Sequence, residues 1–131
     1  MYYVPPFDAV KGHITLANRR GQVMATCSYA GFQELLATLL LGVAVDERWY
    51  LTQYPDIAEA VQAGSVQSAR QHFVHNGFFE GRLPYHMEVD EAWYLAEYPE
   101  VAEAIAEGIF ESAQQHFNVH GYKEGRLPSR P

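Results

Sequence analysis

The chain of 131 residues has a single cysteine, Cys27, so no internal disulfide framework holds it together. No secretory leader is expected. The opening "MYYVPPFDAVKGH" has no charged region followed by an apolar run. A cytoplasmic location is therefore expected, with non-classical secretion as the alternative. The longest apolar stretch, "LLATLLLGVAV", is too short to cross a bilayer, so no membrane span is predicted. Basic side chains are scarce after residue 44: residues 45–131 carry six, against fourteen acidic ones. Phosphate binding needs clustered Lys and Arg, so nucleic acid is excluded as a partner. No P-loop, GxGxxG, GxSxG or kinase-like set occurs, so no enzyme activity and no cofactor are expected.

Folding capacity is present. Hydrophobic residues make up 48% and charged residues 19%, a composition that can bury a core without staples. Net charge is −7, which favours solubility or a basic partner surface. The dominant feature is internal duplication. Residues 45–84 and 89–128 align without a gap at a period of 44, with 23 of 40 positions identical. The shared frame reads "VDExWYL", "YP", "AEA", "G", "SAxQHF", "G" and "EGRLP".

Each unit predicts three short helices. Asp46 and Asp90 are N-caps for the first. Pro55 and Pro99 end it and seat the start of the second. In the second unit Val101, Ala104 and Ile105 lie on one side of that helix and Glu100, Glu103 and Glu107 on the other. Gly64 and Gly108 stop it. A third helix is expected over roughly 66–75 and 110–119, closed by Gly77 and Gly121.

Residues 1–44 are different. Ile14 and Leu16 alternate on one expected strand, and Val23, Ala25, Cys27 and Tyr29 on the next, around the turn "NRRG". An amphipathic helix follows, with Phe32, Leu35, Leu36, Leu39 and Leu40 in helical register and Gly42 as its stop. The leucines are expected to cap the first repeat. Because a lone hairpin is marginally stable, it should pack on the helices, gain a strand from "MYYV", or pair with a second copy as a homodimer. On the apolar side of its strand, Cys27 reads as a small buried residue.

Three constellations carry candidate chemistry. His116 and His120, at i and i+4, form a weak metal pair. His72 matches His116 in the alignment, but His75 matches Val119, and a duplicated ligand would keep its place. Buried packing of His72 and His116 against an aromatic side chain or a carbonyl is the simpler account. The "EGR" triplets, Glu80, Gly81, Arg82 and Glu124, Gly125, Arg126, read as turns. Their arginines should clamp helix-end carbonyls or a carboxylate such as Asp46 or Asp90. The aromatics Trp49, Tyr50, Tyr54 and Trp93, Tyr94, Tyr98 are either core or a sugar-stacking platform, which keeps a glycan among the candidate ligands. Arg19 and Arg20, at the hairpin tip, are a candidate contact for an acidic surface.

The residues Tyr54, Pro55, Ala58, Gly64, His72, Phe73, Gly77, Glu80, Gly81 and Arg82, echoed in the second unit, carry a resemblance. The frame resembles a tandem helical repeat of bacterial proteins: aromatic pair, "YPDVA", glycine, "HYxxxGxxEGR". It covers residues 45–84 and 89–128. Such repeats occur in secreted, cell-surface and glycosyltransferase-associated proteins, and the resemblance implies a helical accessory module with no catalytic residue. Residues 1–44 resemble no such repeat.

The expected architecture is mostly α: a β-hairpin and capping helix (1–44), then repeats over 45–88 and 89–131, forming one compact domain. The expected function is a non-catalytic, acidic interaction or adaptor module with a protein partner. A carbohydrate-associated accessory protein and a histidine-based metal protein are the alternatives.

Overall fold

A computed structural model describes residues 3–131. The chain is mostly α-helical with one antiparallel β-hairpin near its N-terminus. It divides into two compact units, residues 1–85 and 86–131.

The first unit opens with a short helix, α1 (Phe7–Lys11), which no periodicity announces. Strands β1 (Thr15–Arg19) and β2 (Gln22–Thr26) then pair antiparallel, with Arg19 opposite Gln22 and Thr15 opposite Thr26. Arg20 (φ 53°) and Gly21 (φ 78°) make the two-residue connection. These are the two left-handed positions a type I′ turn requires. The Asn18 side chain accepts a bond from the Gly21 N–H at 3.1 Å.

The hairpin differs from expectation in its packing. All ten strand residues are exposed, on both faces. Cys27, expected to be buried, is exposed. Tyr29 is the first residue of α2 (Tyr29–Leu40), because Ser28 caps the helix by accepting from the Gly31 N–H at 3.0 Å. The proposed strand "MYYV" lies in part outside the described residues, and Tyr3 and Val4 are not in a strand.

Helix α2 packs against the third helical segment of the first repeat through a narrower face than the leucine spacing suggests. Leu40 is buried in the core cluster, with Ala37 packed against it. Leu39 remains 44% exposed, as does Phe32. Gly42 serves as more than a stop: a Cβ there would come into steric overlap with the Tyr3 carbonyl. The N-terminal segment therefore needs a residue without a side chain at that point.

In the first repeat, α3 (Glu47–Gln53) is capped by Asp46, whose carboxylate accepts from the Trp49 N–H at 3.0 Å. Helix α4 (Pro55–Gln62) begins on its proline. The third segment departs from the prediction. It starts later, with Ser68 as cap, runs as α5 (Ala69–His72), and widens into a π-helical turn, π1 (Phe73–Gly77). The Phe78 N–H reaches the Phe73 carbonyl at 2.8 Å, closing the wider ring. The carboxylate of Glu47 reaches across to accept from the N–H groups of Ala69 (2.9 Å) and Arg70 (3.0 Å). The Asp46 N–H donates to the Pro84 carbonyl at 3.0 Å, so the two ends of the 40-residue frame meet. Tyr50, Ile57, Ala69, Phe73 and Val74 form the core with Leu40.

The second unit repeats this plan with α6 (Glu91–Glu97), α7 (Pro99–Ala106), α8 (Ala113–His116) and π2 (Phe117–Gly121). Asp90 caps α6, and its N–H meets the Pro128 carbonyl at 2.9 Å. Tyr94, Val101, Ala113 and Phe117 are its buried apolar residues.

Replacing Leu40 with Ala is expected to lower unfolding free energy by about 2–4 kcal/mol, the usual range for a buried leucine. Leu39→Ser should stay within about 0.5 kcal/mol of wild type. Urea denaturation of both variants checks this; a larger loss for Leu39→Ser would place the cap on the wrong face of α2.

Candidate functional site

The residues singled out by the duplication converge, in each unit, on one buried joint. Tyr50 projects from α3 into the core and is fully buried. Its hydroxyl lies 2.8 Å from His72 Nδ1. In the second unit Tyr94 Oη lies 2.9 Å from His116 Nδ1. The rings of Tyr50 and Phe73 meet edge to face at 6.2 Å, and those of Tyr94 and Phe117 do the same.

This joint accounts for the glycine that follows. A Cβ on Gly77 would stand 2.2 Å from Tyr50 Oη, and one on Gly121 would stand 2.3 Å from Tyr94 Oη. No side chain fits there. The glycine is the last residue of each π turn. The wide turn and the bare backbone together leave room for the phenol.

Burial sets the protonation of the pair. It pushes the Tyr50 phenol well above its ordinary range and the Tyr94 phenol up to about 12. It pushes the imidazoles of His72 and His116 below the usual histidine range. Both partners are neutral at pH 7, and one proton lies along each O···N axis. Tyr50 and Tyr94 present no surface to a substrate.

A second layer surrounds the joint. The guanidinium of Arg82 makes a two-pronged bond to Asp56, with Nη1 at 3.2 Å and Nη2 at 3.0 Å, and its Nε reaches Glu80 at 2.7 Å. It lies over the ring of Tyr54 at 4.8 Å. Tyr54 Oη accepts from the Leu83 N–H at 2.8 Å. In the second unit Arg126 bonds Glu100 and Glu124, covers the Tyr98 ring at 4.7 Å, and the Leu127 N–H donates to Tyr98 Oη at 3.0 Å. The bond from arginine holds the carboxyls of Asp56, Glu100 and Glu124 below their usual range. Gly81 (φ 76°) and Gly125 (φ 79°) supply the left-handed residue that turns the chain between glutamate and arginine.

The arginine target corrects the sequence reading. Asp46 and Asp90 are engaged in capping their own helices. The clamp instead closes on the first turn of α4 and α7, where a carboxylate also meets the helix dipole.

The structure also takes apart the stacking platform. Tyr50 and Tyr94, expected among the candidate surface residues, are buried, and arginine covers a face of Tyr54 and Tyr98. Trp49 and Trp93 keep partly exposed rings. His116 and His120 lie 6.0 Å apart by ring centroid, with Phe110 edge-on to both, and His116 Nδ1 is committed to Tyr94. Among the described residues no three His, Cys, Asp or Glu side chains converge as a metal-ligand set. Arg19 and Arg20 stand exposed at the hairpin tip.

One concave feature escaped the sequence reading. A groove of about 510 Å³ runs between α2 and π1, lined by His13, Glu34, Thr38, Val74, His75 and Phe79 among others. His13 Nε2 lies 3.1 Å from the Thr38 hydroxyl, which itself donates to the Glu34 carbonyl at 2.9 Å. A signal existed. Val74, His75 and Phe79 become Asn118, Val119 and Lys123 in the second unit, although the frame around them is kept.

Comparison with family models, with curated proteins and with solved structures found no match to this chain.

Two outcomes follow from the joint. Gly77→Ala should cost about 1–3 kcal/mol or more, as overpacking does. Combining it with Tyr50→Phe should cost less than the sum of the two single changes, and an additive double-mutant cycle would separate the glycine from the phenol. The second concerns pH. The unfolded chain protonates His72 and His116 near pH 6.5, whereas the folded chain resists protonation. Their contribution is complete above that pH and falls as pH drops through the folded values, by up to about 1.4 kcal/mol per pH unit per histidine. The arginine-held carboxylates lose theirs only further down, below about pH 4. Denaturation midpoints at pH 7.5 and 5.0 should differ in wild type and converge in a His72→Asn/His116→Asn variant.

Proposed function

We propose that this chain is a non-catalytic protein-interaction module that binds its partner through the N-terminal segment and is held in shape by the two repeats. The carrying observation is where apolar surface is left uncovered. Among the described residues, fifteen large hydrophobic side chains stay exposed, and ten of them lie between Tyr3 and Leu41. Concentrated apolar exposure on a folded chain marks a contact surface. Val4, Phe7, Val23 and Tyr29 are each at least two-thirds exposed.

The recurring His, Glu and Arg are spent on internal bonds, which supports a scaffold reading of the repeats. The similarity to a bacterial tandem repeat agrees with an accessory role. The acidic balance of residues 45–131 favours a partner with basic character.

Capture of partners on immobilised wild type should be compared with capture on a Leu16→Ser/Val23→Ser variant, from extract of the native source at low salt. Both residues are exposed, so the variant should keep the wild-type melting temperature. A protein held by wild type and lost with the variant is the expected result. Identical sets on both would remove the N-terminal segment from the binding role.

A further inference from the structure

Resting on that reading, we propose that the surface left open by the hairpin is completed by a second copy of this chain, strand β1 pairing antiparallel with the partner's β1 about a two-fold axis. The result is a four-stranded sheet from two hairpins.

Three observations lead there. The described residues leave the hairpin largely uncovered. All ten strand residues are exposed, and two strands alone are marginal in water, whereas three or more with an apolar face are self-supporting. Next, the free edge has a defined register. Arg19 and Gln22 close a two-residue loop and exchange backbone bonds, so the pairs Leu16–Ala25 and Asn18–Val23 are the non-bonded ones. The N–H and C=O groups of Leu16 and Asn18 consequently point outward. Pairing two β1 strands antiparallel around Ala17 sets Leu16 opposite the partner's Asn18 and Asn18 opposite the partner's Leu16, so the outward groups meet each other.

Charge selects this orientation. In the antiparallel register Arg19 and Arg20 stand opposite the partner's Thr15 and Ile14, beside the partner's His13. Glu34 is at that end: its carboxylate lies 3.6 Å from His13 Nδ1 and its side chain is 72% exposed. Each basic tip thus reaches an exposed carboxylate, and the two-fold axis makes the contact twice. A parallel pairing would instead bring four arginines together at neighbouring strands, about 4.8 Å apart. Pairing through β2 would set the tips against the start of α2, the positive end of a helix dipole, which has no acidic residue in its first turn.

The antiparallel sheet also gathers apolar side chains. Leu16, Val23 and Ala25 share one face of the hairpin, and Leu16 is 52% and Val23 67% exposed. Two hairpins side by side join those faces into one apolar strip. A two-fold contact of this kind closes on itself and adds no further copies.

Sedimentation equilibrium of the full chain from about 1 µM to about 1 mM tests this. The expected mass moves from 14.8 kDa toward twice that value as concentration rises. Leu16→Pro removes an outward N–H from an edge strand, where proline is tolerated within the hairpin itself, and should leave the chain monomeric. Arg19→Glu/Arg20→Glu should weaken the dimer at least tenfold, and adding Glu34→Arg should restore it. Near-ultraviolet circular dichroism confirms that each variant is folded. A monomer at every concentration, or a dimer indifferent to both the proline and the charge reversal, overturns the proposal. A monomer whose hairpin variants still lose a captured partner removes the second copy and leaves the interaction reading standing.

Discussion

Within each repeat the space around one phenolic oxygen governs the rest. Tyr50 must bury its hydroxyl, and a buried hydroxyl needs a partner or costs on the order of 1–3 kcal/mol. His72 supplies the partner from α5. The oxygen then occupies the volume that a side chain at position 77 would fill, so the backbone there must be glycine. The chain accommodates both by widening from an α to a π turn between Phe73 and Gly77. The same set recurs with Tyr94, His116 and Gly121. Three features of the duplicated frame, the histidine, the glycine and the wide turn, follow from one buried polar atom.

The arginine clamp is a separate device on the outside of the joint. Arg82 and Arg126 are partly covered, while the carboxylates they hold are largely exposed. Such pairs contribute little to stability by Coulomb attraction alone. Their value is geometric. A planar fork fixed between Asp56 and Glu80 and laid on Tyr54 sets the position of the following segment, whose Leu83 N–H is bonded to Tyr54. The clamp aligns the end of the frame with its middle, and the backbone bond from Asp46 to Pro84 aligns it with its beginning.

How much of this was legible depended on the range of the cause. Local causes read well: Asp46 and Asp90 as caps, Pro55 and Pro99 as helix starts, and the left-handed turn before Gln22 are each decided within four residues. Long-range causes did not. The π turn has no propensity signature, because it answers to a tyrosine 23 to 27 residues earlier. Asp56 as the arginine's partner lies 26 residues from Arg82 and resembles any first-turn carboxylate. The alternation that suggested a half-buried hairpin is real, but the described residues leave its apolar face largely uncovered, so Cys27 and Val23 remain exposed. Period-two patterning states which residues share a side, and is silent on what that side meets.

The bond between the start and the end of each frame has a consequence of its own. With the Asp46 N–H on the Pro84 carbonyl, and the Asp90 N–H on the Pro128 carbonyl, each forty-residue frame leaves the chain a few ångströms from where it entered. A segment with that property is a cassette. It can be copied, removed or spliced into a surface loop of an unrelated protein without forcing the flanking chain apart, since entry and exit already coincide. The gapless duplication at a 44-residue spacing is what such a cassette leaves behind when it is copied in place.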